Sequence, residues 1–244
     1  MSVLRRVAEH HYLTTHQIQG FCFADHGTDA SASRTTRRVL ARLQRDGLLR
    51  ALERRIGGVH AGSQATIWQL AAPGSRLIYE DGNRRRSGTP SERFLRHQLA
   101  VADVHVLLRQ HERIEAIEQI QVEVEPASWR RYQGPSGEPR WLQPDLFAEI
   151  TSSDFVDRYF IEVDLGSESL PTLLGKCEQY EHYRRSGVEQ ARGDSFPLVL
   201  WLFLSAARAE ALRSAAHRSG HLASAMFRYA TPETLMQVLA GVDA

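Results

Sequence analysis

The segment Tyr159-Phe160-Ile161-Glu162-Val163-Asp164-Leu165 sets the tightest limit on the fold. Alternation puts Phe160, Glu162 and Asp164 on one face of a strand and Tyr159, Ile161, Val163 and Leu165 on the other. Two acids inside so apolar a strand are expensive to bury without a partner. The run Gln143 to Ile150 sharpens the point. It opens with Pro144-Asp145 and places Asp145, Phe147 and Glu149 on one face. Carboxylates from Asp145, Glu162 and Asp164 converging near strand ends would form a site for a hard, oxygen-binding cation such as Mg²⁺. Such a site activates water and neutralises charge growing on a phosphodiester.

The surrounding elements fit a mixed sheet. Ser91-Glu92 opens a long helix with Leu95, Leu99, Ala102 and Val106 on one stripe, and Ile120, Val122 and Val124 alternate in a first strand. The two acidic strands follow. Ser169 then caps a helix with Pro171 in its first turn, which Gly187 stops. Phe196 to Leu204 reads as a buried strand, Ala206 to Ser219 as a helix, Ala225 to Tyr229 as a strand, and Thr231-Pro232 as the start of a last helix. The expected order is αβββαβ with αβα appended, an α/β (α+β) domain over residues 91–244.

Residues 1–80 read differently. Three short helices precede a hairpin, Leu48 to Ile56 and Thr66 to Leu70, with a glycine-rich tip between. That is the winged helix-turn-helix order. Thr14 and Gln17 fit a capping box for the second helix. Asp25 to Ser33 reads as a loop, Ser33 as the cap of the third helix, and Gly47 as its stop. In that third helix Arg34, Arg38, Arg42 and Arg45 recur on one stripe, flanked by Thr35 and Arg37, while Thr36, Val39, Leu40 and Leu43 face inward. Guanidinium forks on one helical face suit phosphates and guanine edges in a major groove. Arg54 and Arg55 on the hairpin are expected to touch adjacent backbone. A solvated basic face on a helical bundle is the alternative.

Charge supports a division of labour. Residues 1–99 hold 16 basic and 8 acidic side chains, and residues 100–244 hold 14 and 21, so a net +1 conceals +8 joined to −7. The polar stretch 81–90, with its Gly and terminal Pro, is the expected linker. Double-stranded DNA is therefore the expected partner of the first half. No run approaches the length of a membrane span, and Met1 to Glu9 lacks the apolar core of a secretory signal. Cys22 and Cys177 form no CxxC pair, so neither a disulfide framework nor a structural zinc is expected, and a cytoplasmic setting is. His10-His11 and His217/His221 read as packed or surface residues, and all four tryptophans as core. The Trp129-Arg130-Arg131-Tyr132 stretch either stacks on unpaired bases or anchors a loop against the sheet.

Pro144-Asp145 and Glu162-Val163-Asp164 on successive strands, in an αβββαβ order, resemble the PD-(D/E)XK nuclease superfamily. The resemblance implies that Asp145 and Glu162 hold a divalent metal and that Glu92 matches an optional helix acid. Asp164 stands where that pattern has lysine. Some members carry the basic residue on the next helix, where Lys176 lies, the one lysine of the chain. That helix also shows Gln179 and Tyr183 at the Q-x-x-x-Y spacing of RecB-type nucleases. Three further groups of residues widen the likeness. They are Leu43-Gln44-Arg45-Asp46-Gly47-Leu48-Leu49-Arg50, the stretch Arg54 to Gly58 with Trp68-Gln69-Leu70, and Phe94-Leu95-Arg96-His97-Gln98-Leu99. With them, the chain resembles the replication-relaxation family of actinobacterial plasmids and integrative elements over about residues 2–205. That implies a DNA-binding protein in replication, relaxation or transfer.

Three readings follow. In the first, a nuclease-like domain of weak or lost catalysis serves as a DNA clamp or a homodimer platform. In the second, a Mg²⁺-dependent endonuclease or nickase uses Asp145 and Glu162 for metal, Asp164 for a second ion or the water, and Lys176 for the charged transition state. The third is a winged-helix transcriptional regulator. The sequence favours the first, because Asp164 adds negative charge where phosphate must approach.

Overall fold

The structure, a computed structural model, describes residues 2–25, 27–52, 56–57, 64–79, 90–113, 118–151, 155–193 and 195–241. The chain is α/β and packs as two compact units, residues 1–113 and 114–244. No described helix is long and apolar enough to cross a membrane.

The first unit runs α1 (Ser2–His10), β1 (Leu13–Thr14), α2 (Thr15–Cys22), α3 (Asp29–Arg45), β2 (Leu49–Ala51), β3 (Ile56–Gly57), β4 (Gln64–Ala65), β5 (Ile67–Leu70), α4 (Ala72–Ile78) and α5 (Glu92–Arg113). The Thr14–Gln17 capping box is present. Gly47 ends α3 with φ +69°, a value L-residues avoid. The start of α3 differs from expectation. Thr28, not Ser33, is the cap, its hydroxyl accepting from Ser31 N–H at 3.2 Å, with Asp29 favourably placed in the first turn. Leu13–Thr14 adds an unforeseen strand, giving an antiparallel sheet in the order β1-β5-β2.

Helix α5 belongs to this unit, although its sequence reads as the opening of the second domain. Its Ala102 and Val106 join Val7, Ile18, Leu40 and Trp68 in one core. The buried Gln17 amide donates to Leu99 O at 2.8 Å and to Asp103 at 2.7 Å. Arg113 donates to the Gly20 and Phe21 carbonyls. Apart from Pro90, the expected linker lies outside the described residues.

The second unit runs β6 (Gln119–Val124), β7 (Arg130–Gln133), β8 (Pro139–Leu142), β9 (Leu146–Thr151), β10 (Val156–Asp164), α6 (Leu170–Arg185), α7 (Val188–Gly193), β11 (Leu198–Phe203), α8 (Ala206–Arg218), β12 (Phe227–Ala230) and α9 (Leu235–Leu239). A five-stranded sheet has the order β12-β11-β10-β9-β6. β6, β9 and β10 are antiparallel, and β10, β11 and β12 are parallel. Parallel neighbours need crossovers, and α6 and α8 provide them. Both pack on the face that carries Phe147, Phe160, Val199, Trp201 and Phe203. Residues 134–138 form the turn of a hairpin in which β7 pairs with β8. The last helix starts at Leu235, after a turn at residues 232–234.

Buried histidines make the first unit acid-sensitive. His10 Nε2 and His105 Nδ1 lie 3.0 Å apart, with both rings essentially inaccessible. Burial, then Arg6 and His11, lowers His10 from 6.5 to about 3, and burial with His10, Arg6 and Arg109 lowers His105 well below 6.5. Glu9 also stands beside the pair, itself bonded to Arg6. The unfolded chain takes up protons below pH 6.5 and the folded unit does not. Stability is therefore full above pH 6.5 and falls as pH drops toward the folded values, by about 1.4 kcal/mol per pH unit for each ring. Thermal melts near pH 7.5 and pH 5.5 should show this loss, and His10→Asn should flatten it. An unchanged pH dependence in the variant would assign the loss to other groups.

Candidate nucleic-acid interface and acidic centre

Helix α3 buries Ala32, Thr36 and Leu40. The Thr36 hydroxyl donates to Ala32 O at 2.8 Å, so it serves the helix. With that face inward, Arg34, Arg37, Arg38, Arg42 and Arg45 are all exposed, and Thr35 is half-buried beside them. Arg37 donates to Ser33 Oγ at 3.0 Å, and Arg45 stands 3.9 Å from Asp46. Arg34, Arg38 and Arg42 have no ion pair to a described residue. Because the helix begins at Asp29, the stripe starts more than a turn inside it rather than at its tip. Arg54 and Arg55 lie outside the described residues.

The acidic centre forms where β9 begins and β10 ends. Leu146 pairs with Ile161 in the antiparallel register, so the next step sets Asp145 opposite Glu162. Asp145 Oδ2 accepts from Val163 N–H at 2.8 Å, which fixes its carboxylate on the neighbouring strand. Glu162 is buried. Two residues of α6 reach it from above. The Tyr180 hydroxyl donates to Oε1 at 2.5 Å, and Lys176 Nζ lies 3.5 Å from Oε2. Lys176 also stands 3.3 Å from Glu168, in the turn before α6. Helix spacing explains the pair, since i and i+4 share a face.

The electrostatics follow from crowding. Burial first, and the Asp145 charge second, push the Glu162 carboxyl up, against the pull of Lys176 and Tyr180. Burial works to lower Lys176, but Glu162, Asp145 and Glu168 outweigh it and the ammonium is held charged. Burial and Glu162 raise Tyr180 well above its usual range, so it stays a donor. Two acids set opposite each other on neighbouring strands, with an ammonium beside one of them, are of the donor type that suits a hard divalent ion.

The remaining expected residues have partners of their own. Asp164 is buried, but Arg208 of α8 takes both its oxygens, Nη2 reaching Oδ1 at 3.2 Å, and also donates to Glu168 O at 2.5 Å. The ion pair compensates the Asp164 charge within the protein, whereas Glu162 is met by Tyr180 and Lys176. Glu92 is exposed in the first unit and pairs with Arg96 at 2.7 Å. Tyr183 is buried, and its hydroxyl donates to Glu189 at 2.5 Å. Sequence reasoning passed over Tyr180 as a site residue, together with Glu168 and Arg208. The i, i+4 relation to Lys176 would have found the first; nothing local marks Arg208, 44 residues from its partner.

Among the described residues, Glu9, His10 and His105 also bring ligand atoms within 4.8 Å of one another. There the rings bond to each other, Arg109 Nε donates toward His105 Nε2 at 3.4 Å, and Arg6 holds Glu9 at 2.7 Å. Two guanidiniums beside neutral rings make this a packed polar cluster, consistent with the packed role expected of His10.

No curated protein and no solved structure matches the chain. The family model for replication-relaxation does match, over residues 4–199. That span takes in α3 and its arginines, both acidic strands, Lys176 and Tyr180, and it places the chain in the replication-relaxation family.

Proposed function

We propose that this is a DNA-binding protein acting in the replication or relaxation of a plasmid or mobile element. In this reading the first unit is a winged helix-turn-helix that holds duplex DNA through α3. The second is a PD-(D/E)XK-type unit whose acidic centre works on a phosphodiester. The convergence of Asp145, Glu162 and Lys176 at one end of the β9–β10 pair carries the proposal. The order α6-crossover, mixed sheet and antiparallel β6-β9-β10 supports it.

The objection raised by Asp164 is met by Arg208. An unpaired carboxylate there would repel phosphate; one bonded to a guanidinium does not. That observation favours the metal-dependent endonuclease or nickase over a domain of lost catalysis. Asp145 and Glu162 would hold Mg²⁺, which when bound polarises water and offsets charge on the phosphate. Lys176 supplies a charged donor beside the same oxygens. Tyr180 fixes the Glu162 carboxylate by its hydrogen bond, and Glu168 fixes the ammonium. Arginine at position 176 would keep the charge but not the compact ammonium that fits between two carboxylates.

Two measurements test the two halves. Anisotropy titrations with duplex DNA over a salt series should show weaker binding for the Arg38→Ala, Arg42→Ala double variant. Its slope of log K against log salt should be shallower by about two. An unchanged slope would remove α3 from the interface. Supercoiled plasmid incubated with Mg²⁺ or Mn²⁺ should become nicked or linear, and Asp145→Asn or Glu162→Gln should abolish this. Intact plasmid with wild-type protein under both metals would reduce the second unit to a clamp.

A further inference from the structure

The hairpin β7–β8 is the part of the second unit that the acidic centre does not use. Its two faces differ sharply. Inward, Arg130 and Tyr132 are buried and Leu142 joins the core. The Arg130 guanidinium donates to Ser128 O at 2.9 Å and Glu123 at 2.9 Å, and lies 4.6 Å from the Phe147 ring. Tyr132 packs on Tyr183 at 5.1 Å. Ser128 Oγ donates to Pro144 O at 2.7 Å, tying the hairpin base to the residue before Asp145. The hairpin is thus rigidly mounted.

Outward, it presents Arg131, Gln133 and Trp141, all exposed, with Trp141 53% accessible. Arg131 is directly opposite Trp141 in the register, so guanidinium and indole share one face. Half-buried Trp129 meets Trp141 edge-on, ring centroids 6.4 Å apart at 69°. The tryptophans therefore depart from the core role expected of them at this hairpin. A large, exposed and supported indole next to an arginine has a chemical complement: a base with a free π-face and a phosphate beside it. Duplex bases are already stacked on both faces and offer edges only. Trp141 is four residues before Asp145, so the two Cα atoms are at most about 14 Å apart.

We propose that the outer face of β7–β8 is a stacking platform for unpaired bases of a DNA strand, which it holds beside the Asp145–Glu162–Lys176 centre. The inference rests on the nucleic-acid reading above and adds the form of its substrate. Trp141 stacks a base, Trp129 braces the indole, Arg131 meets the backbone and Gln133 offers an amide to a base edge.

Tryptophan fluorescence of the full chain reads this directly. Trp68 and Trp201 are buried, so quenching reports on Trp129 and Trp141. Titration with oligo(dT) should quench the signal. Trp141→Ala should weaken oligo(dT) binding by roughly five- to a hundredfold. Trp141→Phe, which keeps a ring, should retain most of the affinity, and Arg131→Ala should make the salt slope shallower by about 0.7. Duplex binding by the same variants should be unchanged. Equal oligo(dT) affinity for wild type and Trp141→Ala would overturn the platform, as would a wild type that shifts duplex DNA but ignores oligo(dT). A wild type that binds neither would overturn the nucleic-acid reading with it.

Discussion

Strand β10 carries Glu162 and Asp164 into the interior, and the architecture of the second unit follows from how each is compensated. Glu162 receives Tyr180 and Lys176 from α6, while Asp164 receives Arg208 from α8. Both helices are crossovers of the parallel half of the sheet. Their partners therefore sit four residues apart on one helix and near the start of the next. Removing the cation from either contact would leave a buried carboxylate without its partner, while Lys176 and Arg208 are themselves half-buried. Apolar packing alone would let α6 slide along the sheet. The charged contacts fix its register, and in doing so they put the one lysine beside Glu162.

Much of this was legible because strands advertise their faces. The alternation in β10 placed Glu162 and Asp164 together, Pro144-Asp145 marked the start of the neighbouring strand, and Lys176 lay on the helix where a displaced basic residue was expected. What alternation cannot show is which helix covers a given acid. Glu162 and Asp164 read as equivalent, yet they are claimed by different helices, and only one is set opposite Asp145. The long helix α5 failed for a related reason. It is buried on several sides, with Leu95, Val101, Ala102, Val104 and Leu108 all inaccessible, so its stripe names no partner. Gln17 and Arg113 decide that question through bonds to residues more than 80 positions away. At the start of α3, Thr28 wins over Ser33 because an acid follows it at once, a preference that a run of small polar residues obscures.

Arginine is so abundant here that its count says little, and its pairing says more. In the second unit Arg130, Arg184, Arg185 and Arg208 each bond to a carboxylate or carbonyl of the same unit. They are structural cations. On α3, Arg34, Arg38 and Arg42 point outward without an ion pair to any described residue. A row of like charges on one face repels itself, and no ion pair to a described residue recovers that energy. A polyanion laid along the row does, by releasing the counterions that otherwise surround it. The same contrast separates Arg130 from Arg131, adjacent in sequence but on opposite faces of β7. One is locked under the hairpin and the other stands beside an exposed indole.

The pairing of Asp164 with Arg208 also narrows the chemistry open to the centre. Three convergent carboxylates would suit two ions, which a symmetric displacement uses to hold both attacking and leaving oxygens. In the proposed reading, with Asp164 bound to Arg208, Asp145 and Glu162 would hold a single ion, and charge on a departing oxygen would have to be met by another group. Lys176 is the cation at hand, yet it stands between Glu162 and Glu168 and is half-neutralised by them. In the proposed reading Glu162 would be shared by the ion and the lysine, so the residues that would hold the metal are also those that hold the ammonium. Glu168, bonded through its carbonyl to Arg208, is the lysine's other partner. The Asp164–Arg208 pair thereby does two things at once, compensating one acid and steadying the turn that holds the lysine.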